Sequence, residues 1–342
     1  MKNMCLKMYA TLLQLYFKKS IIGIIFISLF SSAPPLVAAN EKKTVRVAMS
    51  ITPLSSPLII AQAKGFFKEF GLNIDIKQVK GGHLAFKSLM AGEVDIATSS
   101  EAVVMFNSFK RNDFSLFCTF VTSDNDVKIL ARSDSGINTI SDFKGKKIGT
   151  ILGTSAHFFL SQSLLISGVS EGEVKVFNLK PHEAKKTLAS KKLDAIVAWE
   201  PYAYLAKKEL GDKVKIIEHD RVYIETFNAI TLRQYADRNT DKLSRFTQAL
   251  IKATDYIKQH NEESQHIVAN VLNKDLDVIK NTWSDYTFSV GLNQWLLTSM
   301  EAEARWAIEH KFLSVKDIPN YINFINTKPL EKISPESISV FN

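Results

Sequence analysis

Cysteine is nearly absent from this chain. Its 342 residues include only Cys5 and Cys118, and Cys5 lies in a leader expected to be removed, so the remainder cannot form an internal disulfide even on an export route that would permit one. Cys118 sits in the apolar run Ser115–Val121 and reads as a buried core thiol. Acid is missing from the N-terminus: none precedes Glu41, while Lys2, Lys7, Lys18 and Lys19 are all basic. A long apolar run is missing too. Ile21–Phe30 has ten residues, short of the roughly 20 that a spanning helix needs. Metal-ligand spacing is absent among the other histidines; His260 and His266 are six apart, not the three or four that place two ligands on one helical face. There is no low-complexity stretch, long repeat or basic stripe of the kind that binds nucleic acid, and no cofactor motif.

What is there begins with that leader. A basic segment, the apolar Ile21–Phe30 and the small residues Val37-Ala38-Ala39 make a secretory signal peptide with cleavage after Ala39. The competing reading is an uncleaved anchor, because the basic segment is long. No cysteine follows at the cleavage point, so a lipid-anchored lipoprotein is not indicated. Removal of four lysines takes the formal charge from +8 to +4, a mild excess spread along the chain.

After the leader, short β-rich runs alternate with helical ones. Thr44–Ser50, Leu72–Lys80, Asp95–Ala97 and Ser115–Val121 read as strands, with helices after Pro57 and Gly82 and one opening at Thr98–Glu101. A second unit repeats the pattern, with strands at Lys128–Arg132, Lys147–Leu152, Val174–Leu179, Asp194–Ala198, Val214–Ile217 and Phe227–Leu232. From Thr240 onward the reading is almost wholly helical, including one helix over Leu292–His310. Trp283, Trp295 and Trp306 fall at helical spacing and read as core. Alternation of this kind predicts two α/β domains with mainly parallel sheets, the helical C-terminal third packing on the first. The stretch Lys146–His157 stands out: a buried strand, a tight turn at Gly153, and a helix opening on Thr154 or Ser155. A helix start with free N–H groups is a ready seat for a small anion.

Several stretches carry a family resemblance. They are Val45–Ala48 with the loop to Pro57, Ala63–Leu72 (AKGFFKEFGL), Gly92–Ala97, Asp142–Gly149, Gly153–His157 and Asp194–Tyr202 (DAIVAWEPY). Their order and spacing resemble a type II periplasmic substrate-binding protein of an ABC importer, in the group that binds aliphatic sulfonates, taurine, nitrate and thiamine-precursor pyrimidines. The resemblance implies a two-lobe periplasmic binding protein-like type II fold. Lobe one would be residues 40–124 plus 226–342 and lobe two 125–225, closing on ligand by hinge motion. It also implies a periplasmic monomer whose partners are a permease and an ATPase.

Ligands of open α/β sheets sit outside the carboxyl ends of the strands, which nominates four turns. Thr52, Pro53 and Leu54 line the cleft, or Ser55 and Ser56 merely cap a helix. Ser99, Ser100 and Glu101 form the second; Glu101 is awkward for an anion and would suit a cationic group or the helix dipole. Gly153, Thr154, Ser155 and His157 form the third, His157 either contacting ligand or packing. Trp199 and Glu200 form the fourth, the Trp covering an apolar or cationic ligand part. Asn125, Asp126, Glu225 and Thr226 at the lobe crossings are weaker candidates. The ligand expected is a small organic anion; a pyrimidine or other amine-bearing ligand would instead use Glu101, Glu200 and the aromatics. An enzyme is not expected. A eukaryotic branch resembles a thiamine-pyrimidine synthase with a Cys-rich motif, pyridoxal phosphate and iron, and that motif is absent here.

Overall fold

A computed structural model describes residues 44–315 and 317–341; the expected leader and its cleavage point after Ala39 lie outside the described residues. In chain order the elements are β1 (Val45–Ser50), α1 (Ser56–Ala63), α2 (Phe66–Glu69), β2 (Ile74–Val79), α3 (Gly82–Met90), β3 (Ile96–Ser100), α4 (Glu101–Ser108), β4 (Phe114–Ser123), β5 (Val127–Arg132), β6 (Lys147–Thr150), α5 (Ser155–Ile166), β7 (Lys175–Asn178), α6 (Ala184–Ala189), β8 (Ala195–Trp199), α7 (Tyr202–Leu210) and β9 (Val214–Ile217). Then follow β10 (Glu225–Leu232), α8 (Arg233–Gln259), α9 (Asn261–Leu272), α10 (Leu276–Trp283), β11 (Thr287–Asn293), α11 (Gln294–Glu309), α12 (Lys328–Glu331) and β12 (Ile338–Ser339). Among the described residues no helix is long and apolar enough to cross a membrane.

Two sheets organise these elements. The first has the order β12-β11-β4-β10-β3-β1-β2 and the second β7-β6-β8-β5-β9. Both are mixed rather than mainly parallel. β1 runs parallel to β2 and β3, but β10 is antiparallel to both β3 and β4. In the second sheet β6 is parallel to β7 and β8, while β5 is antiparallel to β8 and β9. The reversals arise at the strands next to the crossings between sheets, β4 into β5 and β9 into β10.

The C-terminal third corrects the reading as almost wholly helical. Residues 287–293 (TFSVGLN) form β11 against β4, so the helix expected from Leu292 starts at Gln294. Phe288, Val290 and Leu292 alternate as a half-buried strand should; the apolar run into α11 masked that period. The long α8 contains Asn239 with non-helical φ −133° and ψ 25°, which hid its first turns from a periodicity reading.

Apolar layers hold the sheets. Leu58, Ile60, Phe67, Phe117, Phe120, Phe246, Leu250 and Trp283 belong to one buried cluster beneath α1, α8, α9 and α10, where Phe67 stacks on Phe246 at 5.1 Å between ring centres. A second cluster takes residues from both sheets, with Phe86 and Phe114 joined to Ile129, Ile148 and Phe159 through α11 residues such as Met300 and Trp306. Trp295 is exposed at 42%, unlike the buried Trp283 and Trp306, because it falls on the outer face of α11. All ten residues of β4 are buried, as a central strand covered on both faces requires. Cys118 lies there, and burial pushes its thiol up to about 12. Only a thiolate alkylates readily. In native protein at pH 8 Cys118 should therefore resist iodoacetamide and become fully labelled once denaturant unfolds the chain; mass spectrometry showing rapid native labelling would refute this burial.

Candidate functional site

Strand polarity sets the four nominated turns at two sheet ends. The C-terminal ends of β1 and β3 lie side by side, and the Ser50 N–H donates to Thr98 Oγ1 at 3.1 Å. The C-terminal ends of β6 and β8 are likewise neighbours, Thr150 pairing with Val197. Thus residues 52–56 adjoin 98–101, and residues 153–157 adjoin 199–200. Aromatic packing links the two groups: Phe158 meets Tyr223 edge-on at 5.6 Å, and the Tyr223 hydroxyl donates to Glu101.

The turn into α5 is built to leave donors free. Gly153 takes φ 70°, open to glycine at no steric cost, and a side chain there would lie in contact with the Phe312 ring at 3.4 Å. Thr154 is the N-cap, yet its hydroxyl donates back to the Ile151 carbonyl at 2.6 Å instead of accepting from the helix. The N–H groups of His157 and Phe158 both bond the Thr154 carbonyl at 3.0 Å, and the Gly153 N–H reaches His157 Nδ1 at 3.3 Å. The N–H groups of Thr154, Ser155 and Ala156 find no acceptor among the described residues. Ser155, 4% exposed, accepts the Trp199 indole N–H at 2.8 Å.

His157 packs as well as borders this turn. It lies edge-on to Trp306 at 5.1 Å and to Phe312 at 5.5 Å. Burial lowers its pKa, with Glu171 opposing and His310 adding to the fall. Because Nδ1 accepts from Gly153, the neutral ring carries its proton on Nε2. Trp306 also donates to Ser161 Oγ at 2.9 Å, and His310 pairs with Glu171 at 2.6 Å. Trp306, His310 and Phe312 were missed as neighbours of this turn; they lie some 150 residues downstream, and no local pattern ties them to it.

The other turns are partly spoken for. Thr52 is half-buried and its hydroxyl accepts from the Leu54 N–H at 3.4 Å; Pro53 and Leu54 are buried. Ser55 and Ser56 donate to the Ser50 and Pro53 carbonyls, so their side chains tie the loop and do not cap α1. No hydrogen bond joins residues 52–54 to the α5 turn among the described residues. Ser99 is fully buried with its hydroxyl unpartnered, pressed so close to Gly82 that a Cβ there would fall 2.4 Å from Ser99 Oγ. Ser100 is half-buried at the N-cap of α4, with no side-chain cap bond.

The two acids have partners within the protein. Glu101 is 0% exposed; one oxygen accepts from Tyr223 and the other from the Thr226 N–H and hydroxyl at 2.6 and 2.8 Å. Its carboxylate forms a strut between α4 and β10. Glu200 accepts the Tyr204 N–H at 2.9 Å and so closes the start of α7 with its own carboxylate; burial pushes it up to about 7. Sequence placed both acids beside hydroxyls without showing these partners.

The crossings carry a buried acid cluster. Asp126 accepts from the Tyr286 hydroxyl at 2.9 Å, and burial raises it to about 7. Asn125 donates to Asp285 at 2.6 Å, and Lys128 pairs with Asp285 at 2.8 Å, each side chain 11% exposed. Glu225 and Glu303 are raised well above the ordinary carboxylate range, each chiefly by burial, with Asp126 and Glu101 adding to the rise at Glu225 and Glu101 adding to it at Glu303. Glu303 has no partner on either oxygen, and Glu225 lacks one on Oε2. Among the described residues no group of three or more His, Cys, Asp and Glu is disposed to hold a metal ion.

Comparison with known proteins bears on the family and the fold. The chain is similar to a Bacillus subtilis (strain 168) protein provisionally described as an aliphatic sulfonates-binding protein, 26% identical over 252 residues, covering 71% of this chain and 75% of that one. Its structure is similar to the periplasmic aliphatic sulphonate binding protein SsuA from Escherichia coli, with a TM-score of 0.72 at 18% identity over 80% of this chain and 94% of that one. The alkanesulfonate-binding protein SsuA from Xanthomonas axonopodis pv. citri bound to MOPS gives a TM-score of 0.69 at 20% identity, covering 83% and 98%. At such identities the structural likeness speaks to the fold, which is that of the periplasmic binding proteins. The family model described as NMT1/THI5 like matches residues 52–264, well over half of the length, and the chain belongs to the NMT1/THI5-like family.

Proposed function

We propose that this protein is the extracytoplasmic solute-binding component of an ABC importer and that it captures a small organic anion, a sulfonate first of all, between two lobes. The lobes are residues 40–124 with 226–342, and residues 125–225. In this reading the protein works as a monomer in the periplasm after cleavage following Ala39, and delivers ligand to a permease and its ATPase. One observation carries it: the start of α5 presents the N–H groups of Thr154, Ser155 and Ala156 without acceptors among the described residues, beside the buried Ser155 hydroxyl. The helix dipole favours negative charge at that point. The relatives described as sulfonate-binding support the same ligand class.

Nothing in the site favours an amine-bearing pyrimidine over an anion. The acids that would hold an amine, Glu101 and Glu200, are occupied by Tyr223, Thr226 and Tyr204. A catalytic thiol is equally unsupported, since Cys118 is buried in β4 with its pKa pushed up to about 12. A thermal-shift panel tests the reading. Alkanesulfonates, taurine and nitrate are compared with an aminopyrimidine on purified protein. A ligand at a hundredfold excess over Kd adds about 2.7 kcal/mol of apparent stability. Stabilisation by a sulfonate and none by the pyrimidine is the expected result; the reverse pattern overturns the proposal.

A further inference from the structure

Trp199 ends β8 with its ring half-buried, and its indole N–H reaches across to α5 to bond Ser155 Oγ at 2.8 Å. An indole N–H only donates. Ser155 Oγ can therefore only accept in this bond, and its own hydroxyl proton stays free for another partner. No acceptor for that proton occurs among the described residues, although Ser155 is more than nine-tenths buried. The adjacent hydroxyl shows what a free one does here: Thr154 Oγ1 turns back and donates to the Ile151 carbonyl at 2.6 Å. Ser155 makes no such bond; its oxygen is held by the Trp199 indole N–H instead.

We infer that Trp199 is a positioning residue that holds the Ser155 hydroxyl as a fourth donor beside the three free N–H groups, fitting the seat to a three-oxygen sulfonate head over a two-oxygen carboxylate. This inference rests on the proposed anion reading of the same turn. Four donors at one helix start match a group with three equivalent anionic oxygens, each able to accept more than one bond. A carboxylate has two oxygens and leaves part of the donor set unpaired, which a buried site penalises. Trp199 never needs to touch the ligand; it acts through Ser155.

A double-mutant cycle separates this role from plain wall packing. Propanesulfonate and butanoate are titrated by calorimetry into the wild-type protein, Trp199→Phe, Ser155→Ala and the double variant. Trp199→Phe should weaken propanesulfonate about tenfold when Ser155 is present and change it little when residue 155 is alanine. The preference for propanesulfonate over butanoate should shrink by a similar factor in both single variants. A ligand-free check uses NMR: the Trp199 indole N–H should exchange with solvent faster in Ser155→Ala than in wild type. Equal losses from Trp199→Phe in both backgrounds would show a packing role and overturn the inference while leaving the anion reading intact. Failure of the wild-type protein to bind propanesulfonate at all would overturn both.

Discussion

Replacing Lys128 by methionine should cost about 3–5 kcal/mol of stability at pH 8, and far less at pH 5. Lys128 is the cation paired with Asp285, and both side chains are only 11% exposed. Asp126 and Glu200 also feel its charge, which opposes the burial that leaves both at about 7. Removing one member of a buried pair leaves the other uncompensated, and that loss sets the expected magnitude. Against a total stability of roughly 5–15 kcal/mol it is large. At pH 5 Asp126 and Glu200 hold protons in the folded state and no longer add negative charge around Asp285, so the penalty contracts.

The sign of the wild-type pH dependence follows from the same groups. A carboxyl whose folded pKa is raised costs nothing below its unfolded value, because both states are protonated. As pH rises past that value the unfolded chain releases its proton while the fold retains it, and stability falls. For Asp126 and Glu200 this window runs from their ordinary values of 3.8 and 4.5 up to about 7. Glu101, Glu225 and Glu303, raised by burial, act with the same sign. Asp134, lowered to about 2 by its hydrogen bonds to Lys191 and Arg132, opposes only at lower pH. Urea midpoints for wild type and Lys128→Met at pH 5 and pH 8 check both statements. A penalty for Lys128→Met that is equal at the two pH values would refute the coupling.

Ser155→Asp should abolish anion binding, at least a hundredfold in Kd, while leaving the fold as stable or slightly more so. The new carboxylate would sit at the first residue of α5, where the dipole and the three free N–H groups favour negative charge. It would still accept the Trp199 indole N–H, so the local packing persists. The protein would then carry its own anion in the seat and repel another. Calorimetry with an alkanesulfonate and a thermal melt without ligand read the two halves separately. Undiminished binding by a well-folded Ser155→Asp protein would place the ligand elsewhere.

Much of this architecture was legible because it is local. The strand at Val214–Ile217 matches its expected bounds, and the turn through Gly153 into α5 lies where strand, glycine and hydroxyls put it. What stayed illegible depends on partners far along the chain. Glu101 looked available because nothing near it in sequence reveals Tyr223 and Thr226. Glu200 looked like a ligand acid, yet it serves the N–H of a residue four positions on, a local role that its aromatic neighbours obscured. Glu303 lies amid apolar residues on α11 and gives no sequence sign of joining an acid cluster at the crossings. Periodicity also fails where one element runs into another, as β11 runs into α11.

The position of β10 sets the order in which this chain can fold. It lies between β3 and β4, with Phe227 opposite Ser100 and Thr231 opposite Ser115, so those two early strands never pair with each other. Until Glu225–Leu232 has been synthesised, the first sheet is only the β3-β1-β2 fragment and an unpaired β4, whose open edges are templates for pairing with other chains. The second sheet is complete by Ile217 and can form while the first still waits. Closing the first sheet then spans the whole intervening segment, a long-range contact of the kind that slows folding. A nascent or translocating chain is thus most exposed to misassembly just before the residues that join its two halves emerge.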